Sequence, residues 1–421
     1  MTYVLPSAPE WKSPVTANKE TIELSLSLIT PMFGGGYEAR EVDEENPIRS
    51  AAIRGHLRFW WRATAGGAFA TSEELFKAEE ELWGSDQKAG LVGILVSDVV
   101  HDKPEPSGRF IMRQNGKYGS IPDFGKKPNY ALFPFQGKAK DARIEEYPAK
   151  VISKATFTLR ICAPKISINE VTSAAAAWVK YGGIGARTRR GCGSLTIKQE
   201  LPPIVLGEIR NPNIHIPFLK GSKMVVGRGS NKDPIEAWKQ AVDIYRDFRQ
   251  KEGYARNKGS EPNRPGRSLW PEPDSIRRIT GKHHKLHEPT HPIELGFPRA
   301  DLGLPIIFQF KDKDYGDPED ATLSGPAPQI SRFASPVITK AIPVNDGYAP
   351  MIIILNSPHA WVLGDLNLTS GRVSKRIPRK IIELTPPERK LIKPINGDKP
   401  VREALLDYVS RTWGVKAEEI K

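Results

Sequence analysis

The chain has 421 residues, with 62 Lys+Arg against 49 Asp+Glu and a formal net charge of +13. That excess points to a polyanionic partner, and nucleic acid is favoured over an acidic membrane surface because no basic helix with a broad apolar face stands out. Cys162 and Cys192 are the only cysteines, which excludes a disulfide framework or a cysteine-based zinc site, fits a reducing cytoplasm and leaves no cofactor implied.

The length predicts two domains, residues 1–204 and 205–421. Residues 1–13 lack the apolar core of a signal peptide, and no apolar run is long enough to span a membrane, so a cytoplasmic protein is expected. Ile22, Leu24, Leu26 and Leu28 alternate with polar residues, the period-two pattern of a half-buried strand. A glycine-rich loop, Gly34-Gly35-Gly36, follows. From Ser50, read as an N-cap, a helix is predicted to about residue 65. At roughly 100° per residue, Ile53, Leu57, Trp60 and Thr64 share one stripe, and Arg54, Arg58 and Arg62 form another, with Trp61 at its border. Like charges four residues apart repel, so a polyanion lying along that face would account for them, with Trp61 placed to stack on a base.

Thr71 and Glu74 form a capping box for a second helix that stops at Gly84, with Glu79, Glu80 and Glu81 expected on its solvated face. A strand is predicted at 91–100, a basic insertion at 102–150 and another strand around Phe157, Leu159 and Ile161. Asn169 is read as the cap of a helix through 171–180. The helix runs into the segment around which the chain is organised, Tyr-Gly-Gly-Ile-Gly-Ala-Arg-Thr-Arg-Arg-Gly-Cys-Gly-Ser-Leu at 181–195. Gly182, Gly183 and Gly185 permit close backbone approach to an anion, and Arg187, Arg189 and Arg190 supply forks that match phosphate oxygens. A strand at 194–198 completes a βαββαβ order, an α+β arrangement of the ferredoxin-like kind.

These residues resemble a known family. The 30–36 loop, Ile48-Arg49, the run from Ile53 to Arg62 with its doubled tryptophan, Leu82-Trp83-Gly84 and the 182–193 turn are similar to the motif series of the RAMP superfamily of CRISPR-associated proteins. The doubled tryptophan between arginines, Arg267 to Pro273 and Arg332 to Pro336 resemble one branch, the first subunit of the type III-B Cmr effector complex. The resemblance implies two tandem ferredoxin-like domains, a non-catalytic subunit contacting CRISPR RNA and target RNA near the guide's 3′ end, and other Cmr subunits as partners. It adds Arg49 to the RNA-binding candidates.

In the second half, Asp233-Pro234-Ile235-Glu236 predicts a helix start whose face is Ile235, Trp238, Val242 and Tyr245. Residues 254–300 read as a long basic loop, 372–393 as a second basic stretch, and 400–413 as a closing helix. No second arginine–glycine turn is present, so the second domain is read as a degenerate copy with long insertions. His283, His284, His287 and His291 cluster without cysteine and read as an exposed basic loop rather than a metal site. His56 keeps open a metal-independent endoribonuclease that processes CRISPR RNA, and a pure protein–protein adaptor is the third reading. No Gly-Lys-Ser/Thr phosphate loop and no close acidic pair for two-metal hydrolysis occur.

Overall fold

The computed structural model describes residues 18–36, 38, 40–229, 231–260 and 265–421. The expectation for residues 1–13 lies outside them. The first alternating run forms β1 (Lys19–Leu28). Helix α1 (Ser50–Thr64) begins one residue earlier in its capping than expected: Arg49 is the extended N-cap, without a side-chain cap bond, and Ser50 is already helical. Helix α2 (Ser72–Trp83) starts on the Thr71 hydroxyl, which accepts the Glu74 N–H at 3.1 Å, and ends at Gly84 with φ +86. Then come β2 (Gly93–His101), β3 (Ala155–Pro164), α3 (Ile168–Tyr181) and β4 (Leu195–Ile197). Helix α3 starts before Asn169, on Ser167. The four strands form an antiparallel sheet in the order β2-β3-β1-β4.

The second half begins with β5 (Phe218–Val226) and α4 (Pro234–Gln250), where the Asp233 carboxylate accepts the Ile235 N–H at 2.9 Å, as the cap pattern predicts. Helix α5 (Glu272–Thr280), β6 (Ile306–Phe308) and β7 (Ala321–Ser324) precede β8 (Val337–Val344) and β9 (Gly347–Asn356). Strands β10 (Leu366–Ser370) and β11 (Val373–Ile377), helix α6 (Val401–Trp413) and β12 (Glu418–Glu419) complete the labelled elements. One antiparallel sheet has the order β8-β9-β5-β12, and a third, built from the insertions, has the order β6-β7-β10-β11.

The β9 run Met351-Ile352-Ile353-Ile354-Leu355 is buried throughout, the signature of a strand covered on both faces. Its alternate residues go to different cores. Met351, Ile353 and Leu355 pack with Leu57 and Trp60 of α1 and Trp178 of α3, while Ile352 and Ile354 pack with Tyr245 and Phe248 of α4 and Leu405 of α6. The molecule is therefore layered as sheet, helices, sheet, helices, and the helices α1 and α3 are shared between two sheets. The connection near residue 204 is no open linker: Leu201, Ile204, Leu206 and Ile209 lie against the first core.

The 254–300 segment is not the loop its composition suggests. It contains α5 and buries Trp270, and Arg267, Arg277, Arg278 and Arg299 are consumed internally. Arg267 pairs with Asp274 at 2.8 Å, Arg277 with Asp274 at 3.1 Å and Asp317 at 3.0 Å, and Arg299 with Glu272 at 3.1 Å. Arg278 donates to the carbonyls of His291, Ile293 and Glu294. Among the described residues no helix is long and apolar enough to cross a membrane.

Candidate nucleic-acid interface

The glycine turn is held by its own backbone and by the chain on either side of it. The N–H of Ile184 donates to Gly193 O, that of Ala186 to Phe33 O and that of Gly193 to Pro31 O, each at 2.8 Å. The Thr30 hydroxyl donates to Gly191 O at 2.6 Å and accepts the Ser194 N–H at 2.8 Å. A Cβ at Gly193, whose φ is +63, would lie 1.8 Å from Ile184 O, and one at Gly191, φ +77, would lie 2.6 Å from Thr339 O of β8. Packing within this protein, more than the approach of a ligand, demands these glycines. Gly182 and Gly183 are buried, while Gly185 through Arg190 form the half-exposed outer edge. The Ala186–Phe33 bond carries the 34–36 loop to that edge, so the two glycine-rich segments do meet. The exposed Arg49 follows closely, because Gly35 packs on Pro47 O.

The three arginines of the turn point inward. Arg187, in the left-handed region at φ 57, donates to Ala131 O of the 102–154 insertion at 2.6 Å. Arg189 donates to Ser335 O and lies 5.4 Å over the Phe59 ring. Arg190 donates to Val337 O at 2.7 Å and to the Ser335 hydroxyl at 3.0 Å, and sits 4.5 Å over the Tyr245 ring. Trp238 of α4 donates its indole N–H to Arg190 O at 2.5 Å. The turn thus staples the first sheet's unit to the second. None of the three guanidinium groups has a carboxylate partner among the described residues. Burial, then repulsion from Arg190, lowers Arg189 to about 10 and shifts Arg187 in the same direction. Burial pushes the Cys192 thiol up to about 12, which makes it an inert packing group.

The arginine stripe of α1 stands apart from the turn. Arg58 and Arg62 both pair with Glu79 of α2, at 2.7 and 2.5 Å, and Arg54 donates to Trp83 O at 3.1 Å. Glu79 is therefore buried, not solvated with its neighbours as its acidic run suggests. Trp61 is 1% exposed and donates its indole N–H to Glu170 at 3.0 Å, which corrects its reading as a stacking platform. The helix face that meets the turn carries His56, Phe59 and Trp60, roughly 150° around α1 from the arginine stripe. The stripe and the turn do not form one cationic surface, because both faces of α1 already have protein partners.

Between α1 and the turn lies a cavity of about 200 Å³, lined by His56, Phe59, Gly182, Gly183, Thr188 and Arg189 among others. His56 stacks on Trp178 at 6.3 Å, and burial lowers its pKa. The cavity lining offers it no carboxylate and no second histidine. Beneath, Lys340 of β8 is fully buried and donates to Gly182 O at 2.8 Å and Val179 O at 3.2 Å, at the C-terminal end of α3. Burial lowers it to about 7. The sequence reading missed Lys340; the one signal is a lysine interrupting an otherwise apolar strand.

His287, Asp312 and Asp317 have the donor types of a metal site within 4.8 Å of one another. Both Asp317 oxygens, however, are already taken by the Arg277 fork at 3.0 and 3.1 Å, and His287 donates its Nδ1–H to the same carboxylate at 2.7 Å. A cation there would sit against a guanidinium, so the arrangement reads as an ion-pair network.

Comparison with known proteins agrees with the motifs. Relatives include the CRISPR system Cmr subunit Cmr1-2 of Pyrococcus furiosus, 29% identical over 186 residues that cover 41% of this chain and 92% of that protein. Cmr1-1 of the same organism is 28% identical over 152 residues, 36% of this chain and 40% of that one. Among solved structures, Cmr1 from Pyrococcus furiosus in its apo form superposes with a TM-score of 0.44 at 17% identity, covering 81% of this chain and 89% of that one. A chain of a type III-B Cmr-beta complex bound to cognate target RNA gives 0.41 at 14% identity, covering 91% and 99%. The family model of the RAMP superfamily matches residues 25–196, the span from β1 through the glycine turn to β4.

Proposed function

We propose that this chain is a non-catalytic RNA-binding subunit of a type III-B CRISPR RNA-guided effector complex in antiviral defence. Its guide RNA, and the target RNA paired with it, would be contacted near the guide's 3′ end. The observation that carries the reading is electrostatic. Arg187, Arg189 and Arg190 keep their charge uncompensated by any carboxylate, directly behind the half-exposed edge 185–190. Protein interior screens such charges weakly, so their field leaves the molecule through that edge and through the adjoining 34–36 loop and Arg49. The N–H groups of Arg187, Thr188 and Arg189 find no acceptor among the described residues and supply donors for phosphate oxygens.

The same reading takes the chain as two tandem ferredoxin-like units, 1–204 and 205–421, the second degenerate. The matching strand orders β2-β3-β1-β4 and β8-β9-β5-β12 support it, each with a helix after its first and third strands. A binding role rather than cleavage is supported by His56, whose cavity supplies no carboxylate and no second histidine. Incubation of the purified chain with repeat RNA in chelator tests that part: site-specific cleavage lost in His56→Ala establishes the endoribonuclease instead. For binding, Arg189→Gln with Arg190→Gln keeps donors for Ser335 and Val337 while removing two charges. Affinity for single-stranded RNA is expected to fall about tenfold or more across sequences, with a shallower salt slope. Unchanged affinity would count against the proposal and favour a protein–protein adaptor.

A further inference from the structure

Arg189 also walls a second pocket of about 200 Å³, whose other lining residues all come from the second half of the chain. The pocket's inner surface is apolar, formed in part by Phe333, Leu355 and Leu363, and its rim carries Arg332 and His215 in addition to Arg189. No carboxylate lines it. Arg332 and His215 are both exposed, and neither makes a hydrogen bond or ion pair with any described residue. The 333–336 backbone is fixed beside it: Leu304 and Phe333 exchange backbone bonds, and Ser335 is held by Arg189 and Arg190.

We propose that this pocket receives one unpaired nucleotide of the RNA that lies along the glycine turn, with its base among Phe333, Leu355 and Leu363 and a flanking phosphate on Arg332 and His215. The proposal rests on the RNA-binding reading and deepens it. Shape alone would admit an apolar side chain from a protein partner. Such an occupant would leave the exposed Arg332 and His215 facing nothing, whereas a nucleotide joins an apolar ring to an anion. Continuity decides further. Arg189 lines both this pocket and the cavity behind the turn, so the two adjoin, and neither lining holds a carboxylate.

The experiment uses the full chain and a 20-nucleotide single-stranded RNA substituted with 4-thiouridine, cross-linked by light and mapped by mass spectrometry. Cross-links are expected on two sets of peptides, one spanning 185–190 and one carrying His215 or Phe333. Ala334→Phe, at an exposed position lining the pocket, should abolish the second set while sparing the first, and weaken binding about five- to tenfold. Arg332→Gln should reduce the slope of log affinity against log salt by about 0.7, one phosphate's share. Cross-links confined to 185–190, with Ala334→Phe binding like the parent, overturn the pocket and leave the RNA-binding reading standing. Absence of cross-links from both sets overturns both. If Ala334→Phe fails to fold, the map of the unaltered chain decides alone.

Discussion

The glycine turn at 182–193 and the segment around α5 both read from composition as basic surface, and in both the guanidinium groups are turned inward. They differ in what receives them. Around α5 Arg267, Arg277 and Arg299 pair with the carboxylates of Asp274, Asp317 and Glu272, and Arg278 alone rests on carbonyl oxygens, so most of the cluster's charge is cancelled. At the turn the partners are carbonyl oxygens and aromatic faces, which satisfy donors without cancelling charge. Arginine count therefore says little about function, whereas the identity of the acceptor says a good deal. The largest expected effect breaks the comparison on its neutral side. Arg277→Ala removes the fork that occupies both oxygens of the buried Asp317, leaving an uncompensated charge, and should cost about 3–5 kcal/mol by urea unfolding. RNA affinity of the folded fraction should not change. A fall in affinity would mean that the α5 cluster is part of the interface.

Lys340 sharpens the charged side. Its ammonium has only Val179 O and Gly182 O as acceptors, with no carboxylate among its partners, and burial lowers it to about 7 from an ordinary 10.5. Below about pH 7 the lysine is charged in both folded and unfolded chains, and the full penalty for burying it is present. Between about 7 and 10.5 the unfolded chain holds a proton that the folded chain lacks, so stability gains up to about 1.4 kcal/mol per pH unit as pH rises. Lys340→Met should abolish that slope and be more stable than the parent at pH 6. A parent curve that is flat from 7 to 9 would show that the seam is wetter than its packing implies.

Much of the scaffold was legible because it is locally determined. The alternation of β1, the Thr71 and Asp233 caps and the Gly84 stop are each set by neighbours within a few residues. What the sequence hid is the partner of each charged group. Glu79 sits in an acidic run that looks solvated, yet it lies 17 and 21 residues from the two arginines it joins. Arg190 meets Val337 across 147 residues. Trp61 lay at the border of the predicted apolar stripe, and only the Glu170 contact, 109 residues away, fixes it inside. The doubly covered β9 shows the same limit: its unbroken apolar run signals burial, but not that α1 and α3 cover one of its faces.

The smallest expected effect bears on the stripe of α1. Glu79→Gln keeps an acceptor for Arg58 and Arg62 but removes the single carboxylate that neutralises them, adding one net positive charge to that face. Because the stripe lies on the opposite side of the helix from the turn, the added charge acts on RNA only at a distance. At low ionic strength the gain in affinity should be about twofold, and at 0.15 M salt, where the screening length is about 8 Å, it should vanish. A tenfold gain that survives 0.15 M salt would place RNA directly on Arg54, Arg58 and Arg62. It would then follow that Glu79 acts as an internal competitor for phosphate, displaced on binding, and that the uncompensated charge of the turn is secondary.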